Sequence, residues 1–233
     1  MRILRFLNSS IGAKVTMAVT GLALSGFVVG HLTGNLLVFS GREAMNDYAQ
    51  WLKSLGGGLW IARGGLLAMF ILHIATAIKL KRGHKQARPV GYAYQSTIQA
   101  SQASRTMILS GLLVLGFVLM HLMHFTFRAI GDHGMPEEVL ADGTHRHDVF
   151  GMLVAGFEND LYVAVYTASM IVLGSHLSHG LHSLFQSLGL RHEAYTPLIE
   201  KAASAVAWLL ALGFLTIPWA VRLGFVSAEP LAQ

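Results

Sequence analysis

Apolar residues in this chain gather into runs of about twenty, and runs of that length leave few ways to fold. About twenty helical residues cross roughly 30 Å of hydrocarbon. Inside hydrocarbon the backbone must satisfy its own hydrogen bonds, so each run reads as a membrane-crossing helix. Five spans are read, at 16–39, 59–80, 106–127, 161–182 and 202–221. Only 12% of the 233 residues are charged, where a soluble domain carries about a quarter. The expected fold class is all-α: an integral membrane bundle of five transmembrane helices, one membrane domain over 1–233, with no internal repeat recognised. A basic start (Arg2, Arg5, Lys14) precedes the first span. No small-residue cleavage site follows it and the segment is too long for a signal-peptide core, so it is expected to stay in the mature protein.

The net charge is +5, and its distribution favours a membrane over nucleic acid. The N-terminus and the loops after spans two and four hold eleven of the seventeen Lys and Arg, with only Glu193 and Glu200 as acids. The other loops hold six basic residues and ten acids, among them Glu137, Glu138, Asp142 and Asp148. The positive-inside rule then puts the N-terminus in the cytoplasm and the C-terminus outside. The basic loops suit acidic lipid headgroups or a cytoplasmic partner. Residues 46–52 read as a short interfacial helix with Trp51 and Trp60 as anchors, and the acidic, His-rich segment 129–159, with Pro136, as a long outer loop.

Four of the five spans carry a histidine well inside them: His31, His73, His121 and His176. A strongly polar side chain at membrane depth is costly and by default functional. Four are the number that holds two haems by paired imidazoles. The chain has no cysteine, which excludes disulfides within it, thiolate-ligated clusters and covalent haem attachment. At 1.5 Å per residue, His31 and His121 fall roughly 5 and 7 Å outward of their span centres, and His73 and His176 roughly 5 and 7 Å inward. Matched depth pairs His73 with His176 and His31 with His121. The same argument prefers His121 to His124 and His176 to His179. His124, His179 and His182, nearer the headgroups, would bind a haem propionate or snorkel. His84, His133, His145, His147 and His192 read as loop or surface groups. Gly26, Gly30 and Gly34 give room either for close helix packing or for a flat macrocycle beside His31.

The stretches His31-Leu32-Thr33-Gly34-Asn35-Leu36-Leu37-Val38-Phe39, Glu43-Ala44-Met45-Asn46-Asp47-Tyr48-Ala49 and 176–190 resemble the cytochrome b membrane anchor of di-haem succinate:quinone oxidoreductases, the type with one five-helix subunit. The resemblance covers nearly the whole chain. It implies a proximal haem b held by His73 and His176 and a distal haem b held by His31 and His121. It also implies a cytoplasmic flavoprotein subunit that oxidises succinate or reduces fumarate, and an iron–sulfur subunit that passes electrons to this chain. The expected location is the bacterial cytoplasmic membrane, with a higher oligomer of the complex allowed. This chain would then supply anchoring, haem binding and reaction with menaquinone or ubiquinone, with no catalytic residue for succinate itself. Candidate quinone contacts near the distal haem are Asn35, Arg42, Asn46 and Lys53. On the cytoplasmic side they are His84, Tyr92, Tyr94 and Ser96. Some fumarate reductases of this type carry a Glu two residues before the last ligand; here that position is Gly174, so no compensating proton path is expected. The haem b anchor of a hydrogenase or formate dehydrogenase is the alternative within electron transfer. A histidine-relay transporter and a haem-free anchor are the alternatives outside it.

Overall fold

A computed structural model describes residues 5–6, 9–90, 94, 98, 100–134, 137–140, 143 and 145–228. Arg2, Tyr92, Ser96, Pro136 and Asp142 lie outside the described residues. Helix α1, Ser10–Asn35, starts where the Ser9 hydroxyl accepts a hydrogen bond from the Gly12 amide. It tightens into a 3-10 turn over Leu36–Ser40. Gly41, at φ 96°, then turns the chain into α2, Arg42–Ser54. Helix α3 covers Gly57–Ala87 and stops before Pro89. Helix α4 covers Met107–His121 and passes directly into a π turn, Leu122–Thr126. The strands β1 (Glu137–Val139) and β2 (His145–His147) pair antiparallel, with Glu138 opposite Arg146. Helix α5, Val149–Phe157, follows, then α6, Asp160–Ser187, capped by Asn159, and α7, Thr196–Arg222, with Pro218 inside it.

Five helical segments are long and apolar enough to cross a membrane: Ser10–Ser40, Gly57–Ala87, Met107–Thr126, Asp160–Ser187 and Thr196–Arg222. This is compatible with a multi-pass membrane protein, and each expected span falls on one of them. Segment 129–159 differs from the expected loop. It holds a two-stranded ribbon, a small exception to an all-α chain, and α5 is a core element with Phe150, Leu153, Val154 and Phe157 buried. An apolar run of nine residues is too short to cross hydrocarbon and does not stand out as a span.

Helix α6 is the hub, packing against α1, α4 and α7, while α1 also packs on α3 and α7. At Gly174, on the α6–α7 contact, an added Cβ would sit 2.9 Å from Trp208 Cε3 and 3.1 Å from Ala211 Cβ. The position is closed to a larger side chain, acidic ones included. By contrast, α1 with α4 and α3 with α6 share almost no backbone contact. Only 6% of the α3 apolar window and 11% of the α4 window are buried by the rest of the chain. Most of the surface of these two helices is thus left uncovered by the rest of the chain.

The end of the bundle bearing the ribbon is clamped by charge. Arg146, with 4% of its side chain exposed, donates to Glu138, Asp47 and Glu43 at 2.9, 2.7 and 2.8 Å. Asp148 accepts from the Gly151 amide at 3.0 Å, capping α5, from Asn46 Nδ2 at 2.9 Å and from Arg42. The hydrogen bond from Arg146 holds the Glu138 carboxyl below its usual range. Burial pushes the Asp148 carboxyl up, but Asn46, the Gly151 amide and Arg42 together hold it below its ordinary value. Folded-state values below the unfolded ones mean that this stabilisation is complete above the ordinary carboxylate range, about pH 4–5, and is lost as pH falls through it. Hydrogen exchange of residues 137–157 is expected to accelerate on acidification below about pH 4 while α6 and α7 stay protected. Opening that set in instead on alkalinisation would contradict the sign.

Candidate functional site

Inside the bundle the four span histidines meet in two places. His31 on α1 and His121 on α4 face each other with ring centroids 5.8 Å apart and planes at 84°. His73 on α3 and His176 on α6 are each held at Nδ1 by a hydroxyl of a neighbouring helix. The His31–His121 contact joins two residues matched by depth along their spans. All four are half-buried. A metal ion taking one nitrogen from each of two facing imidazoles at about 2.0 Å sets ring centroids roughly 6 Å apart.

Each ring of the second pair is held by a hydroxyl from a neighbouring helix. His73 Nδ1 lies 3.1 Å from Thr20 Oγ1 on α1, and that hydroxyl reaches the Thr16 carbonyl at 2.8 Å. His176 Nδ1 lies 3.0 Å from Ser110 Oγ on α4, and that hydroxyl reaches the Met107 carbonyl at 3.0 Å. A hydroxyl committed to a carbonyl accepts from its other neighbour, so Nδ1 carries the proton and the Nε2 lone pair is free for a metal. A glycine lies beneath each ring. An added Cβ at Gly21 would meet His73 Cε1 at 3.4 Å, and one at Gly111 would meet His176 Cε1 at 3.4 Å. No heavy atom lies within 4 Å of an added Cβ at Gly26, Gly30 or Gly116.

The two halves of this arrangement are copies of one pattern. Residues 16–32 and 106–122 align without gaps at an offset of ninety, with nine of seventeen residues identical. The shared residues are Thr16/Thr106, Met17/Met107, Gly21/Gly111, Leu22/Leu112, Gly26/Gly116, Phe27/Phe117, Val28/Val118, His31/His121 and Leu32/Leu122. This corrects the reading of a chain without a repeat. The repeat is one helix long and made of common membrane residues, so its glycine and histidine register carries the signal, not its composition. The hydroxyl position, Thr20 or Ser110, precedes the histidine of its own helix by eleven residues and serves the histidine of the next span.

The other histidines distribute differently. His124 sits near the end of its span yet is fully buried within the chain, stacked on Tyr162 at 4.1 Å, and its Nε2 has no hydrogen-bond partner. The π turn at 122–126 brings it inward beside His121. His133 has a buried, unpartnered Nδ1 and lies 6.0 Å from His124, centroid to centroid, so it too departs from a plain surface role. His179 and His182 pack edge to face at 4.7 Å. His145 pairs with Glu137 across the ribbon at 3.3 Å. Three side chains that spacing alone did not point to are Thr20, Ser110 and Tyr166.

The residues Asn35, Arg42, Asn46 and Lys53 do not converge on one site. Asn35 sits beside His31, its Nδ2 donating to the His31 carbonyl at 2.7 Å. Arg42 and Asn46 are committed to the Asp148 clamp, with Asn46 also binding Glu138 and the Phe150 amide. Lys53 is exposed in the last turn of α2. His84 and Tyr94 are exposed near the opposite, basic end. Searches against known family models, curated proteins and solved structures return no match for this chain.

Proposed function

We propose that this chain is the di-haem cytochrome b membrane subunit of a succinate:quinone oxidoreductase, with one haem b between His73 and His176 and a second between His31 and His121. The observation that carries the reading is the His31–His121 spacing of 5.8 Å on two helices that otherwise scarcely touch. The donor set fits the group: paired imidazoles, an apolar surround and glycines that leave open space beside the rings. Among the described residues no three His, Asp or Glu side chains gather into a metal cage. An ion held by two imidazoles alone must bring its remaining ligands with it, as a macrocycle does. When bound, the haems would supply one-electron relay between an iron–sulfur partner and menaquinone or ubiquinone. The chain's own residues orient the imidazoles through Thr20 and Ser110, exclude water with apolar spans and anchor the complex. In this reading the basic end faces the cytoplasm of a bacterium, where the flavoprotein and iron–sulfur subunits dock, and the ribbon end lies outside.

A reduced-minus-oxidised spectrum of the purified complex, with haem extracted and counted, tests the proposal. It is expected to show two haems b per chain, both reducible by succinate through the partner subunits. Absence of haem b sinks it. Thr20→Val keeps the side-chain shape and removes the hydroxyl that accepts from His73. A hydrogen bond of this kind contributes about 1 kcal/mol. Its loss makes the imidazole less basic and the ferric state less favoured, so one haem midpoint is expected to rise by tens of millivolts, on the order of 59 mV per tenfold change, while the other stays put. Redox potentiometry of the two bands reads this directly.

A further inference from the structure

We infer that Tyr166, backed by His124, is the positioning residue for the His121 ring and tunes the haem of the His31–His121 pair alone; the inference rests on the haem reading above. The Tyr166 hydroxyl lies 3.1 Å from His121 Nδ1 and 3.1 Å from His124 Nδ1. It has one proton to give. Were that proton given to His121 Nδ1, the His121 proton would sit on Nε2 and no lone pair would be free for iron. Given to His124 Nδ1, it leaves the phenol oxygen to accept from His121 Nδ1–H. Each of the three groups is then used once, in one direction: His121 to Tyr166 to His124. His124 carries its proton on Nε2, the fully buried nitrogen without a partner. A water that took this last proton would complete the chain.

Packing keeps the hydroxyl in place. Tyr166 is 6% exposed and stands edge-on between Phe117, at 5.2 Å, and Phe157, at 4.8 Å. His124 is pinned between Tyr162 and Phe125, with ring centroids 4.1 Å away on either side. The other member of the pair has no equivalent. The nearest polar group to the His31 ring is Asn35 Nδ2, 3.4 Å from Nδ1. An amide nitrogen only donates, so unlike the phenol it cannot accept an Nδ1–H from His31, and one of its protons goes to the His31 carbonyl. In the His73–His176 pair both rings lean on aliphatic hydroxyls tied to backbone carbonyls. The two sites therefore differ in kind. One is held symmetrically by short side chains of the repeat. The other is held on one side only, by a phenol that a second imidazole polarises.

Tyr166→Phe in the intact complex, followed by potentiometric titration and low-temperature EPR of both haems, tests the inference. The affected haem is identified as the one missing from a His121→Leu complex. Losing the acceptor makes His121 less basic. That haem's midpoint is expected to rise by up to about tenfold in its reduction equilibrium, 59 mV for one electron, and its low-spin EPR signal to move. The haem of His73 and His176 is expected to keep both. His124→Leu is expected to move the same haem in the same direction by less, because it removes only the polarising neighbour. Unchanged potentials and EPR in Tyr166→Phe, or equal shifts of both haems, overturn the inference. Should Tyr166→Phe fail to assemble, an unshifted haem in His124→Leu overturns it instead. An unaltered complex without haem b overturns the underlying reading, a result distinct from two haems that ignore Tyr166.

Discussion

Replacement of His121 by leucine is expected to remove one of the two proposed haems b and leave the other with its native spectrum. His31→Leu is expected to remove the same one. His73→Leu and His176→Leu are expected each to remove the other. The sorting, rather than the loss, is the informative result. His31 and His121 share one space, 5.8 Å apart across helices that hardly pack together, so deleting either partner leaves a single imidazole. A double variant within a pair should then cost no more haem than either single one, because the ligands act as a unit. Leucine is apolar and close to histidine in bulk, which limits damage to helix packing. His124→Leu is the control. It lies three residues from His121 and is more deeply buried, yet is expected to keep both haems. Haem extracted per chain decides the matter: four equal losses, or a His124 variant that behaves like His121, would break the pairing.

Asn46→Ala is expected to destabilise the ribbon end by about 2–4 kcal/mol, because a buried donor or acceptor left without a partner costs about 1–3 kcal/mol. Asn46 is 1% exposed. Its amide donates to Asp148 and Glu138 at 2.9 and 3.1 Å, and its carbonyl oxygen accepts the Phe150 amide at 2.9 Å. One side chain thus ties α2 to the ribbon and to the first turn of α5. Asp47→Ala, which removes a carboxylate 72% exposed from the Arg146 cluster, is expected to cost under about 1 kcal/mol, as exposed ion pairs do. Hydrogen exchange in residues 137–157, compared with that in α6, measures both. Similar effects for the two variants would show that the clamp rests on charge and not on the buried amide.

Much of this architecture is legible in the residues themselves. The spans stand out because hydrocarbon tolerates only long apolar helices, and the four histidines stand out because hydrocarbon penalises polarity. Depth along a helix matches His31 with His121, whose rings do meet in the fold, and His73 with His176. The rest depends on contacts that a linear reading does not contain. Nothing in Asn46 or Arg42 marks them as fixed to Asp148, a hundred residues away, so they look like free polar groups near the membrane surface. Val149–Phe157 is apolar enough to bury but too short to span. His124, in the π turn at the end of its span, is packed under Tyr162 and Phe125 instead of reaching outward. Thr20, Ser110 and Tyr166 serve histidines on other helices, and only the fold joins them.

One histidine of each pair lies in each half of the chain: His31 and His73 in the first, His121 and His176 in the second. No half owns a complete pair, and each hydroxyl of the repeat guards a histidine on the following span. During synthesis the first two spans therefore enter the membrane carrying two half-sites that cannot close. The His31–His121 pair needs only α1 and α4, whereas His73 waits for α6, which brings His176 and also the Tyr166 hydroxyl that reaches His121. In the proposed di-haem reading, each haem would link the first half of the chain to the second. A chain truncated before α6 would thus lack His176 and the Tyr166 hydroxyl, and with them one complete pair.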